Sequence, residues 1–211
     1  RIHKNTLLWY TSDNGGLKSN SMGGLSGKKG NLLEGGIRVP AILEWPNKIP
    51  VARNTSIPCN TSDFYPTLLE LAGVSKLKDQ PPLDGISLLP LIEGKVKARG
   101  KAMGFWDYPA AGRGRKARAM LEALRKEQQS GIVKPAPKEG HVAKQYPTNS
   151  FPGSAAWIDG DWKLLKSKGG SKLFNLSKDE AEKKDLSKSN PGKVASIQKA
   201  LLSWQRSVTH S

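Results

Sequence analysis

Asp13 and Asn14 are the first residues of the chain whose types and position could bind a ligand. They follow an apolar run over residues 6–11, and ligands of open α/β sheets bind beyond the carboxyl ends of the strands. A carboxylate and an amide carbonyl are hard oxygen ligands of the kind that Ca²⁺ and Mg²⁺ prefer. Asp-Asn-Gly is also ordinary turn chemistry. The pair alone therefore leaves a metal site and a plain turn open.

Lys28-Lys29-Gly30 is the second segment, and it lies in a glycine-rich stretch over residues 15–36. A lysine beside glycines can approach an anion closely while backbone N–H groups add donors, which suits phosphate or sulfate. A P-loop is excluded, because it requires Ser or Thr where this chain has Gly30. Long loops inside compact domains are usually functional. We therefore predict an ordered, functional loop here.

Hydrophobic patterning predicts the elements that position these segments. Residues 6–11 have the pattern of a strand buried on both faces, as in a parallel sheet covered by helices, and residues 37–44 that of a second strand. A helix begins at a cap, Thr61 or Ser62, and ends at Gly73. Further along, we predict a strand over 105–108, a basic amphipathic stretch over 113–129, a hairpin over 155–166, a third strand over 172–176 and a closing helix after Asn190-Pro191.

Composition restricts the class of protein and its partners. The 211 residues carry 34 Lys+Arg against 18 Asp+Glu, a net charge of +16, and 36% are hydrophobic, which indicates a folded chain. A basic chain can bind nucleic acid, anionic lipid, or a sulfated or phosphorylated substrate. No apolar run reaches the roughly 18 residues that a membrane-spanning helix needs. The single cysteine, Cys59, excludes an internal disulfide.

The order of these motifs resembles the C-terminal half of type I sulfatases, in the alkaline phosphatase superfamily. The resemblance rests on Ser-Asp-Asn-Gly-Gly-Leu, then Gly-Lys-Lys-Gly-Asn-Leu-Leu-Glu-Gly-Gly-Ile-Arg-Val-Pro, then Ser-Asp-Phe-Tyr-Pro-Thr-Leu-Leu-Glu-Leu. It resumes over residues 104–109 and 156–176, and so covers nearly the whole chain.

The resemblance implies an α/β fold in three parts. Residues 1–100 would be the C-terminal part of the large sulfatase domain, a mostly parallel sheet covered by helices. Residues 101–154 would form a basic, proline-rich connecting and variable loop region. Residues 155–211 would form a small antiparallel sheet with a C-terminal helix.

The resemblance also implies roles for particular residues. Asp13 and Asn14 match ligands of the active-site cation, Ca²⁺ with Mg²⁺ as the alternative, and Lys29 matches the lysine that contacts the sulfate. Glu34 and Arg38 would be structural, as an ion pair that holds the loop. His141, in the variable loop, is a solvated surface residue or a substrate contact.

The nucleophile of such enzymes is a formylglycine made from a C/S-x-P-x-R signature, which this chain lacks. We expect it upstream of Arg1, together with further metal ligands, so the chain alone should be inactive. The expected function is hydrolysis of a sulfate ester of a glycan, with no nucleic acid partner, in a secreted, periplasmic or lysosomal parent protein. Two alternatives stay open: a basic binding module for nucleic acid or acidic polysaccharide built on residues 113–118 and the lysine-rich tail, and a phosphate ester hydrolase.

Overall fold

The computed structural model describes residues 2–75, 80–107, 115–131 and 150–209. Its strands are β1 (Leu8–Thr11), β2 (Ala41–Glu44), β3 (Met103–Asp107), β4 (Ser154–Asp159), β5 (Trp162–Ser167) and β6 (Gly170–Asn175). Its α-helices are α1 (Glu34–Ile37), α2 (Phe64–Leu71), α3 (Leu89–Ile92), α4 (Arg115–Ser130) and α5 (Pro191–Thr209). Short 3₁₀ turns cover Ile2–Asn5, Ser19–Ser21 and Thr61–Asp63.

β1 and β2 form an antiparallel pair, in which Leu8 lies opposite Glu44. One face of β1 packs through Trp9, whose ring centroid lies 3.9 Å from that of Phe64. Leu8 and Tyr10 on the other face are 60% and 62% exposed. The predicted burial of both faces, and the parallel pairing it implied, are therefore wrong for this strand. Periodicity failed because a short apolar run has the same pattern whether one face or both are covered.

The start of β2 also differs from the prediction. The strand begins at Ala41 rather than residue 37, because the chain first makes the short helix α1. The loop before it is ordered, as predicted, and contains that helix and one 3₁₀ turn.

The helix after residue 60 is capped one residue earlier than predicted. The Asn60 side chain accepts a hydrogen bond from the backbone N–H of Ser62, and the Asp63 carboxylate accepts one from the backbone N–H of Asn60. This reciprocal arrangement is a capping box. Gly73, with φ at +66°, ends the helix as predicted, since a left-handed residue favours glycine.

The second sheet is an antiparallel meander in the order β3-β4-β5-β6. The predicted hairpin, third strand and closing helix are all confirmed. The strand predicted over residues 105–108 is β3, which begins two residues earlier, at Met103, and joins this sheet as its fourth strand. Helix α5 covers one face, where Ala155, Leu164 and Leu173 pack with Ile197 and Leu201. The chain therefore builds its main core from local hairpins and one helix.

The opposite face of this sheet is also buried. Met103, Ile158, Lys163 and Phe174 lie side by side across the four strands, and none is more than 6% exposed. A lysine in such a row requires a charged partner, because burying an unpaired charge is costly.

The basic amphipathic stretch over residues 113–129 is the helix α4 from Arg115 onward. His141 and residues 113 and 114 of the basic segment lie outside the described residues. The division at residues 100 and 154 stays a prediction. Among the ranges given above, no helix is long and apolar enough to cross a membrane.

Candidate functional site

Two backbone hydrogen bonds join the segment of Asp13 to the glycine-rich loop. The Gly15 N–H donates to the Gly36 carbonyl at 2.9 Å, and the Lys29 N–H donates to the Gly16 carbonyl at 2.9 Å. The structure thus places the segment of Asp13 and Asn14 directly against the loop that carries Lys29. Their chemical roles stay predictions.

Glycine is required where these loops meet. A Cβ atom on Gly15 would lie 1.9 Å from the Gly35 carbonyl oxygen, and one on Gly36 would lie 2.1 Å from the Asn31 oxygen. Both obstacles are backbone atoms, so no change of rotamer could relieve them. Part of the glycine pattern therefore reflects close backbone packing.

Lys29 occupies a β-turn. The Asn31 N–H donates to the Lys28 carbonyl at 2.9 Å, and Gly30 has φ at +88°. This is the third turn position, where a type II turn requires a positive φ and hence favours glycine. The turn places the exposed side chain of Lys29 at its second position. An ammonium group held there can meet an anion without first leaving a buried environment.

Asp13 and Asn14 offer an incomplete metal site. The Asn14 side-chain N–H donates to Asp13 Oδ1 at 2.7 Å, so the amide oxygen of Asn14 is the atom suited to a cation. Asp13 is exposed and Asn14 half-buried. Over the described parts of the chain, no group of three or more His, Cys, Asp or Glu residues could hold a metal ion. Because Ca²⁺ takes six to eight oxygens, this pair fits only part of its coordination shell.

Glu34 and Arg38 hold the loop, but the predicted ion pair between them is wrong. Glu34 Oε1 lies 2.7 Å from the Nζ of Lys163 on β5, and Arg38 donates to Glu180 Oε2 at 3.0 Å. The Glu34 pair is buried, whereas the Arg38 pair is largely exposed. Both side chains pair with residues in the C-terminal part of the chain, and Glu34 and Arg38 contact each other only through the backbone, where the Arg38 N–H donates to the Glu34 carbonyl at 2.7 Å.

Glu182 completes the buried cluster, and neither it nor Lys163 was singled out from the sequence. Glu182 Oε1 lies 2.8 Å from Lys163 Nζ, and Glu182 Oε2 accepts the backbone N–H of Glu34 at 2.5 Å. Burial raises the pKa of Glu182 above its ordinary value, while the Lys163 ammonium opposes that rise. The available signal was a lysine inside the apolar strand Trp-Lys-Leu-Leu.

A second buried ion pair lies at the start of α2. Arg99 binds the Asp63 carboxylate through two nitrogens, at 2.6 and 2.8 Å, and both side chains are at most 5% exposed. Asp63 also accepts the backbone N–H groups of Asn60 and Ile86. This pair fastens α2 to residues 84–101 and makes none of the contacts of the glycine-rich loop described above.

Cys59 lies beside this pair and is free and exposed. Its Sγ donates to the Ile57 carbonyl at 3.4 Å. The contact agrees with the prediction that Cys59 is a small residue near a helix start.

Part of the chain is similar in sequence to known sulfatases. Residues 1–74 match the family model described as Sulfatase. Human steryl-sulfatase is 38% identical over 105 residues, which are 45% of this chain and 18% of that protein. The N-acetylgalactosamine-6-sulfatase of Canis lupus familiaris is 38% identical over 100 residues, 44% of this chain and 19% of that protein. The chain spans about a fifth of the length of these relatives.

Solved structures share the fold over almost the whole chain. The crystal structure of Ps i-CgsB aligns with 97% of this chain and 37% of that one, at a TM-score of 0.70 and 26% identity. The same protein in complex with k-i-k-neocarrahexaose aligns over 97% of this chain and 37% of that one, at a TM-score of 0.69 and 27% identity. The phosphonate monoester hydrolase of Agrobacterium radiobacter, at 21% identity and a TM-score of 0.61, shares the fold.

The fold is thus the α/β fold of the sulfatase and alkaline phosphatase class, as predicted. The match of residues 1–74 to the Sulfatase family model and the similarity to steryl-sulfatase confirm the resemblance seen in the sequence.

Proposed function

We propose that this chain supplies the sulfate-contacting and cation-binding part of a sulfuric ester hydrolase that acts on a sulfated glycan. The observation that carries the proposal is the junction of the two loops, which places the segment of Asp13 and Asn14 against that of Lys29. The relative named N-acetylgalactosamine-6-sulfatase and the complex of Ps i-CgsB with k-i-k-neocarrahexaose support a glycan as the substrate class.

Lys29 would neutralise charge on the sulfate oxygens through its exposed ammonium group. Asp13 and Asn14 would hold Ca²⁺, or Mg²⁺ in its place, together with ligands from outside this chain. The cation supplies electrostatic stabilisation of the sulfate oxygens and the leaving oxygen. The formylglycine nucleophile belongs to a segment upstream, since residues 1–211 contain no C/S-x-P-x-R sequence.

The charge of the chain fits a polyanionic substrate. A net charge of +16 attracts a sulfated polymer at long range and raises its local concentration. Trp157, Trp162 and Trp204 pack against the core of the small sheet instead of forming an open stacking surface, which disfavours a single-stranded nucleic acid partner. We place the parent protein outside the cytoplasm, as a secreted, periplasmic or lysosomal enzyme.

Replacement of Lys29 tests the proposal in the polypeptide that also carries the nucleophile. We expect Lys29→Ala to lower kcat/KM on an aryl sulfate and on a sulfated oligosaccharide by about 10²–10³-fold, the usual cost of removing one charge-stabilising donor. Lys28→Ala is the matched control, because the neighbouring side chain is also exposed and its turn contacts are made by backbone atoms.

Equal effects of the two substitutions, or an unchanged rate in Lys29→Ala, would remove Lys29 from the site. Faster turnover of a phosphate or phosphonate ester than of any sulfate ester would reassign the substrate class. The 211-residue chain itself should bind Ca²⁺ weakly and release no sulfate. Sustained aryl sulfate turnover by that chain would place the nucleophile within it.

A further inference from the structure

A buried ion cluster lies between the small sheet and the loop of the proposed site. The Lys163 ammonium group lies 2.7 Å from Glu34 and 2.8 Å from Glu182. Lys163 is fully buried, and the two glutamates are 5% and 7% exposed. Buried pairs of this kind add little net stability over well-packed apolar residues. Their presence here therefore calls for another physical reason.

Glu34 is tied to the cluster by both its side chain and its backbone. Its carboxylate binds Lys163, and its N–H donates to Glu182. The next two residues link Glu34 to both loops. The Gly35 N–H donates to the Ser26 carbonyl at 2.7 Å, and the Gly36 carbonyl accepts the Gly15 N–H. The path from the cluster thus reaches a residue two positions after Asp13.

The loop that carries Glu182 is held by hydrogen bonds on two sides, one to the small sheet and one to the glycine-rich loop. At the sheet edge, the Leu186 N–H donates to the Leu173 carbonyl at 2.8 Å. At the other end, the Ser26 hydroxyl donates to the Ala181 carbonyl at 2.5 Å. Glu182 adopts φ at +55°, an unfavourable conformation for a non-glycine residue. Tertiary contacts therefore determine its position.

From this path we infer that Lys163 is a positioning residue, which fixes the loop of Lys29 against the segment of Asp13 by locking Glu34 and Glu182 together. The inference rests on the proposed function for its catalytic consequence. Its structural consequence, the order of the two loops, stands without that function.

The first experiment measures amide hydrogen exchange in the 211-residue chain. We expect Lys163→Met to speed exchange at least tenfold for the N–H groups of Gly15, Lys29 and Gly35, under conditions where the variant stays folded. Arg99→Met is the matched control, because it breaks the other buried ion pair without touching this path. Its exchange should rise around α2 and stay unchanged at those three amides.

The second experiment measures kinetics in the polypeptide that carries the nucleophile. Lys163→Met should lower kcat by about 100-fold, the cost of misplacing a reacting group by about 1 Å, with KM changed less than threefold. Lys163→Arg keeps the charge and should recover at least tenfold of that loss. Arg99→Met should leave the kcat of the folded protein within threefold of the parent value.

The outcomes separate the two proposals. If Lys163→Met only lowers the unfolding midpoint, as Arg99→Met does, with unchanged loop exchange and kcat, Lys163 is merely structural and the inference is wrong. If the parent hydrolyses no sulfate ester while loop exchange still rises, the proposed function fails and the positioning role holds. Should Lys163→Met not fold, Glu34→Gln removes one charge at constant size, and loop exchange equal to the parent's would overturn the inference.

Discussion

Gly15→Ala is the sharpest perturbation that the loop junction offers. The added Cβ would lie 1.9 Å from the Gly35 carbonyl oxygen, whereas real Cβ atoms essentially never approach below 3.0 Å. The loops must therefore separate by about 1 Å, and the obstacle is backbone that cannot rotate away. The separation also lengthens the hydrogen bond from Gly15 to Gly36.

The expected loss of stability follows from the steric clash and the weakened hydrogen bond. Overpacking costs about 1–3 kcal/mol and a lost hydrogen bond about 1 kcal/mol, so unfolding free energy should fall by about 2–4 kcal/mol. A shift of about 1 Å between catalytic groups should also lower kcat by about 100-fold in the nucleophile-bearing polypeptide. Urea denaturation measures the first effect and steady-state kinetics on an aryl sulfate the second.

Gly100→Ala is the matched control, because a Cβ at that position meets no atom within 4 Å. Exposed substitutions of this kind change unfolding free energy by about 0.5 kcal/mol or less. If Gly15→Ala behaves like Gly100→Ala in both assays, the close approach of the two loops does not hold the site together, and the reasoning is refuted.

Two further predictions concern the buried ion pairs. Arg99→Met should lower the unfolding free energy by about 3–5 kcal/mol, because it leaves the Asp63 carboxylate buried without its partner; a urea midpoint equal to the parent's would contradict this. Glu182→Gln should change the pH dependence of stability. Since burial raises the Glu182 pKa above its ordinary 4.5, the folded state holds the proton more tightly, and stability falls as pH rises from about 4.5 through the folded-state pKa. Thermal melts across that window should show a flatter profile in Glu182→Gln, and identical profiles would exclude Glu182 as the group responsible.

The small sheet was predictable because its signals are local. The Asp159-Gly160 turn signal and the apolar spacing of α5 act within a few residues of the elements they define, and the structure has the hairpin and helix there. β1 was mispredicted because burial of its second face depends on what lies against it, and nothing within residues 8–11 records that.

Asp13, Asn14 and Lys29 could be proposed as site residues from sequence because their motifs are short and occur in a fixed order, and their roles stay predictions. The partner of Glu34 could not, since Lys163 lies 129 residues away and no local rule joins a glutamate in a glycine-rich loop to a lysine in a strand. The strand pattern did contain a clue. Lys163 pairs with Ile158 and Phe174 on the neighbouring strands, so its side chain lies on a buried face and requires an acidic partner there.

Stability relative to an all-apolar core does not explain the cluster of Lys163, Glu34 and Glu182. A methionine has nearly the length of lysine and would pack against the row of Met103, Ile158 and Phe174, and apolar replacements of complete buried ion clusters are often neutral or stabilising. An apolar side chain cannot fix the direction of the Glu34 carboxylate. The charged contacts of Lys163, at 2.7 Å to Glu34 and 2.8 Å to Glu182, are directional and therefore favour a single loop conformation. The cluster therefore costs desolvation free energy but fixes the orientation of Glu34 and of the loop that follows from it. That orientation is relevant to the proposed site because the restrained loop carries Lys29.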